Sequence, residues 1–228
     1  MADNRYDVLF IDFYGTVTAG DRHAVEQTCR LVVDELALDM PPEELAIVWG
    51  RRFFGALDTA HDGAFRNLFE LERGTLVETV RPMAGPFDPV PFVEHLKQYW
   101  ANPTLHREAA AALEALEIPI CCVSNADTED VVAAVKAHGL RFDRIVTSED
   151  ARSYKPHAGI FRKALAEMQV APDRVMHVGD SLHSDVGGAK PLGMCTTWVC
   201  REDRMFDVGQ ARPDHKITSL LELRSLLS

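Results

Sequence analysis

The stretch VLFIDFYGTV, residues 8–17, carries the first structural signal in the chain. Val8 to Ile11 form a short apolar run bounded by a glycine-bearing turn, which predicts a buried strand. Asp12 stands where that strand ends, beside Gly15 and the hydroxyl of Thr16. In open α/β sheets functional groups collect outside the carboxyl ends of the strands, so a carboxylate there is placed like a nucleophile. Two residues further on, Tyr14 stands where a second carboxylate would supply an acid/base partner.

Working outward, similar runs recur. YDVLFI (6–11), IPICCVSN (118–125), RIVTS (144–148), RVMHVGD (174–180) and MCTTWV (194–199) read as strands. The last four lack polar alternation, as strands covered on both faces do. Helical periodicity lies between them, at 128–138, 157–168, 183–192 and 218–227. Strand alternating with helix predicts an α/β fold with a parallel sheet and helices on both faces.

More than a hundred residues separate the first two strands, far beyond an ordinary crossover. Stripes such as Val25, Cys29, Val32 and Leu36, or Val93, Leu96, Tyr99 and Trp100, predict an inserted helical unit. The aromatics Trp49, Phe53, Phe54, Phe65 and Phe69 would form its core. The proline-rich MAGPFDPVPF (83–92) is expected to be the hinge back, with 105–116 as the crossover helix.

The remaining strand ends are chemically loaded. Strand two ends in Ser124-Asn125, before a helix whose start is signalled by Asp127 and Thr128. Lys155 follows strand three, and GDSLHSD places Asp180 and Asp185 after strand four. A phosphoryl ligand would give each a task. Asp12 would attack phosphorus, while Ser124 and nearby helix-start N–H groups would hold oxygens. Lys155 would neutralise charge, and the three carboxylates would offer hard oxygens to magnesium. His177 reads as an interior histidine and His183 as near the site without a catalytic part.

Composition narrows the partners. The 228 residues carry 24 basic and 35 acidic side chains, a net charge of −11, with no basic run. A nucleic-acid backbone is therefore not an expected partner. The apolar runs are too short for a membrane span, and MADNRYDVLF is not a basic leader. Cys29, Cys121, Cys122, Cys195 and Cys200 are odd in number and lack C-x-x-C spacing, so reduced thiols and a cytoplasmic location are expected.

In order, D-F-Y-G-T, the strand-end Ser124, Lys155-Pro156 and G-D-S-L-H-S-D resemble the four motifs of the haloacid dehalogenase superfamily. The resemblance covers nearly the whole chain. It implies a Rossmann-like catalytic core, residues 1–17 and 91–228, with a helical cap at 18–90. It further implies catalytic Asp12, Thr16, Ser124 and Lys155. A small anionic substrate is expected near Tyr14, Ser124, Asn125 and Lys155, with Arg52, or the adjacent Arg51, reaching it from the insertion. Magnesium would be held by Asp12, Asp180, Asp185 and the backbone carbonyl of Tyr14.

Tyr14 departs from the phosphatases of that superfamily, which carry Asp there, and resembles its 2-haloacid dehalogenases, whose halide leaves without a proton. Asp180 and Asp185 point the other way, because carboxylates packed against Asp12 repel without a cation. The metal site outweighs the missing acid in this reading. The expected function is a magnesium-dependent phosphatase acting through an aspartyl phosphate, with Asp21, His23 or the Tyr14 phenol as replacement acids. The alternative is a metal-independent 2-haloacid dehalogenase, and a non-catalytic binding protein stands third. Oligomeric state has no signature in the sequence.

Overall fold

The computed structural model describes residues 5–201 and 209–227; the first four residues of the expected core lie outside them. The chain opens with β1 (Val8–Ile11), every residue of which is buried, and β2 (Thr18–Ala19). Four long helices follow: α1 (Asp21–Glu35), α2 (Pro42–Leu57), α3 (Leu68–Ala84) and α4 (Val90–Ala101). Then come β3 (Thr104–Leu105), α5 (Ala109–Glu114), β4 (Ile120–Ser124), α6 (Thr128–Ala137) and β5 (Arg144–Thr147). After the single turn α7 (Ser148–Ala151) lie α8 (Ala158–Met168) and β6 (Val175–Gly179). The chain closes through α9 (Gly187–Ala189), β7 (Cys195–Val199), β8 (His215–Ile217) and α10 (Leu223–Leu227).

Six strands pair in the order β5-β4-β1-β6-β7-β8, all parallel. Adjacent residues of a strand face opposite sides, so β1 feeds two cores. Leu9 and Ile11 join Cys122, Val131, Met176 and Val178 on one face. Val8 and Phe10 join Cys121, Val123, Phe161 and Val175 on the other. This double coverage is why β4 and β6 also read as unbroken apolar runs. It brings the carboxyl ends of β4, β1 and β6 side by side, with Asp12 in the middle.

The inserted helices have their own core, in which Cys29, Val32, Leu45, Trp49, Leu71, Leu76, Val93 and Leu96 are buried together. The Trp49 indole N–H donates to Thr75 Oγ1 at 3.0 Å, satisfying the polar end of a buried aromatic. Phe54 departs from the expected core: it is 63% exposed.

Several expected boundaries shift. Residues 83–92 turn between α3 and α4 rather than leading back to the sheet, because Phe92, Val93, Leu96 and Trp100 of α4 pack into the insertion's core. The two crossings between layers are instead β2 and β3, paired antiparallel with Thr18 opposite Leu105. The crossover helix is consequently only α5. The helix expected at 183–192 is present as one continuous helical stretch, Leu182–Leu192, wide-wound over Leu182–Val186, regular in α9 and tight over Lys190–Leu192. The sixth strand, β8, is too short for periodicity to reveal.

Candidate active site

Asp12 lies one residue past β1, its amide still bonded to the Val178 carbonyl at 2.9 Å. The ladder therefore fixes its backbone, and its side chain is almost wholly buried. Lys155 Nζ donates to Asp12 Oδ1 at 2.5 Å, Asp185 Oδ1 at 2.7 Å and the Val123 carbonyl at 2.9 Å. An ammonium has three protons, and each has an acceptor. Thr16 Oγ1 donates to Asp12 Oδ2 at 2.9 Å, so the carboxylate's second oxygen also has a donor.

Asp185 is held as firmly. Its Oδ1 also accepts from His177 Nε2 at 3.0 Å, and its Oδ2 accepts from the Ser181 amide at 3.0 Å. Gly179 makes room for it: a Cβ there would stand 2.1 Å from Asp185 Cγ. Gly15 does the same for Asp180. It has φ +84°, and a Cβ would approach Asp180 Oδ2 to 2.7 Å.

The charges follow this geometry. Burial works against the Lys155 ammonium, yet Asp12 and Asp185 outweigh it and leave its pKa raised to about 12. Burial would also raise Asp185, but Lys155 and His177 hold it far below the usual carboxylate range. For Asp12, burial prevails over the pull of Lys155, and with Asp185 alongside its pKa is raised. One ammonium is shared by two carboxylates, and the one with more donors retains its charge better.

Several expected roles move. The Asn125 side chain is bonded to the Lys155 backbone. Its Oδ1 accepts from the Lys155 amide at 2.7 Å and its Nδ2 donates to the Lys155 carbonyl at 3.1 Å, so it fixes the lysine's backbone. The Tyr14 phenol donates to the Trp100 carbonyl at 2.8 Å, and burial raises its pKa far beyond that of a useful acid. Asp21 is bonded to the Tyr99 hydroxyl rather than facing Asp12. Arg52 is paired with Glu78 on an exposed face, 3.3 Å apart. The Ser124 hydroxyl, in contrast, is buried without a hydrogen-bond partner.

Sequence reasoning missed two positioning contacts. His177 was read as merely interior, whereas it orients Asp185. Asp127 was read as the start of α6, but its carboxylate makes no capping bond there. It accepts instead from the Leu68 and Phe69 amides at 2.7 and 3.0 Å, capping α3 of the insertion from the sheet side. Only the Asp-Thr pair hinted at a cap, and nothing local indicated which helix.

Magnesium was expected among Asp12, Asp180 and Asp185, and one oxygen from each does lie within 4.8 Å of the others. Both oxygens of Asp12 and both of Asp185 already accept protein hydrogen bonds. Lys155 is a cation already placed between two of these carboxylates, so their packing does not by itself call for a metal.

A family model described as haloacid dehalogenase-like hydrolase matches residues 6–193. The chain is 27% identical over 232 residues to (S)-2-haloacid dehalogenase 2 of Pseudomonas sp. (strain CBS-3), covering 96% of this chain and 95% of that one. A (S)-2-haloacid dehalogenase of Pseudomonas putida is 23% identical over 229 residues, covering 96% and 95%. The L-2-haloacid dehalogenase of Xanthobacter autotrophicus superposes with a TM-score of 0.80 at 22% identity, covering 97% and 98%. These whole-length similarities overturn the expectation of a magnesium-dependent phosphatase. Packed carboxylates do not require a metal where a buried ammonium lies between two of them.

Proposed function

Because the chain belongs to the haloacid dehalogenase-like hydrolases, we propose that it is a metal-independent dehalogenase of small 2-haloacids. The observation that carries this reading is the buried Lys155 between Asp12 and Asp185, which supplies a fixed positive charge at the nucleophile. The whole-length likeness to (S)-2-haloacid dehalogenases supports it.

In the first step an oxygen of ionised Asp12 attacks the carbon bearing the halogen. The carbon–halogen bond breaks, halide leaves with its electron pair, and an ester forms on Asp12. Halide needs no proton, which suits a Tyr14 whose hydroxyl is committed to Trp100. The partnerless Ser124 hydroxyl is suited to a substrate carboxylate oxygen. Water then adds to the ester carbonyl, releasing the 2-hydroxy acid and a proton and restoring Asp12. Asp180 is half exposed and linked to the same Thr16 hydroxyl at 3.4 Å, a place from which its carboxylate can accept that proton. The substrate is thus a small anion. Among the described residues no helix is long and apolar enough to cross a membrane, and five unpaired cysteines suit a reducing cytoplasm.

The test is halide release from racemic 2-chloropropionate with and without EDTA. Release indifferent to EDTA and lowered by at least about 10³-fold in Asp12→Asn is expected. No halide from 2-chloro- or 2-bromopropionate in either buffer would sink the reading.

A further inference from the structure

Past β7, Arg201 reaches back to the loop that follows Asp12. Its Nη1 donates to the Thr16 carbonyl at 3.0 Å and the Gly15 carbonyl at 3.3 Å. Its Nη2 donates to Glu108 Oε1 at 3.1 Å. The guanidinium side chain is only 11% exposed and its carboxylate partner 22%. Glu108 stands just after β3, where the chain returns from the helical insertion. One rigid cation thereby ties together the nucleophile loop, the return from the insertion and the end of β7.

We propose that Arg201, anchored by Glu108, is a positioning residue that holds the Gly15–Thr16 turn so that Thr16 stays on Asp12. A guanidinium is a planar fork that donates in several fixed directions, whereas a lysine ammonium is a point charge that cannot span all three acceptors. The turn needs such a restraint: Gly15 sits at φ +84°, and Thr16 must bond Asp12 Oδ2 with little slack. Glu108 is suited to the anchor. Burial would raise its pKa, but its own backbone N–H and Arg201 prevail and hold it below the usual range. The same strand end secures the opposite loop, because the Trp198 indole N–H donates to the Asp180 carbonyl at 2.9 Å. Arg201 and Trp198 both lie past residues 6–193, the stretch on which family membership rests. Membership alone therefore assigns them no role.

The consequence for turnover rests on the dehalogenase reading; the geometric clamp does not. A loop displaced by about 1 Å can cost about 10²-fold in rate. Arg201→Ala is expected to lower kcat for halide release by about 10- to 100-fold with KM changed less than about threefold. Arg201→Lys should recover little of the loss, and guanidinium added to Arg201→Ala should restore part of it where added ammonium does not. Amide hydrogen exchange of residues 13–18 should quicken in Arg201→Ala and Glu108→Gln while β4 and β6 stay protected. Circular dichroism checks that each variant is folded. Unchanged exchange in 13–18, or full kcat in folded Arg201→Ala, would overturn the proposal. If the wild-type protein releases no halide, the dehalogenase reading fails and the exchange result alone decides the clamp.

Discussion

On the proposed reading, Tyr14 and Lys155 between them decide which chemistry Asp12 can run. The Tyr14 hydroxyl is spent on the Trp100 carbonyl, so Tyr14→Phe removes a hydrogen bond and no catalytic proton. Halide release should stay within about threefold of wild type, with about 1 kcal/mol lost in a urea melt; a loss of tenfold or more would return the phenol to the mechanism. Lys155 is the opposite case. Lys155→Met leaves Asp12 and Asp185 facing each other without their shared cation. Breaking such a pair costs about 3–5 kcal/mol, and one carboxyl would have to take up a proton. Activity should vanish even where the variant folds, and a variant that kept its turnover would contradict the assignment.

At the scale of elements, α3 is held at its first turn by a carboxylate from another layer. Four N–H groups at a helix start lack partners within the helix. Asn67 caps one of them, the Glu70 amide, at 2.9 Å. Asp127, at the start of α6, takes those of Leu68 and Phe69. Loss of a cap costs about 1–2 kcal/mol, so Asp127→Ala should destabilise by about that much. Amide exchange at residues 66–71 should rise while β1 stays protected, and equal exchange in the variant would show that the contact does not hold α3. Nearby, the Tyr154 hydroxyl donates to the Arg66 carbonyl at 3.0 Å, with its ring stacked on Phe65 at 5.3 Å. The helical layer is thus fastened by Asp127 and Tyr154, which stand close in sequence to Ser124 and Lys155.

For the whole molecule, the buried acid Glu72 of α3 makes stability depend on pH. Burial alone pushes its pKa up to about 8, from an ordinary 4.5. A folded-state pKa above the unfolded one means that the folded chain binds the proton more tightly. Its contribution is therefore full below about 4.5, falls as pH rises and is lost above about 8. At about 1.4 kcal/mol per unit the span amounts to several kcal/mol at most. Glu72→Gln should raise Tm more at pH 8 than at pH 5; an equal change at both would remove the acid from the account. Tyr14 packs against both the sheet's core and the helical core, so the two layers meet at the nucleophile loop.

Much of this protein was legible in its sequence because local rules decide it. A strand covered on both faces must be apolar throughout, so β1, β4 and β6 announce themselves, and with them the strand-end positions of Asp12 and Ser124. Helical stripes such as Val25, Cys29 and Val32 declare the insertion, since a helix buries one face. What tertiary structure alone decided is who answers whom across long stretches of chain. Asp12, Asp180 and Asp185 do come together as expected, but that Lys155 bonds both Asp12 and Asp185 is visible only in the fold. Asp127 looked like the cap of its own helix until α3 came to rest on it, and nothing along the chain showed that Asn125 grips Lys155. A carboxylate or an amide can satisfy many partners equally well. The partner it takes depends on which donor the fold brings within about 3 Å, and periodicity along the chain does not encode that distance.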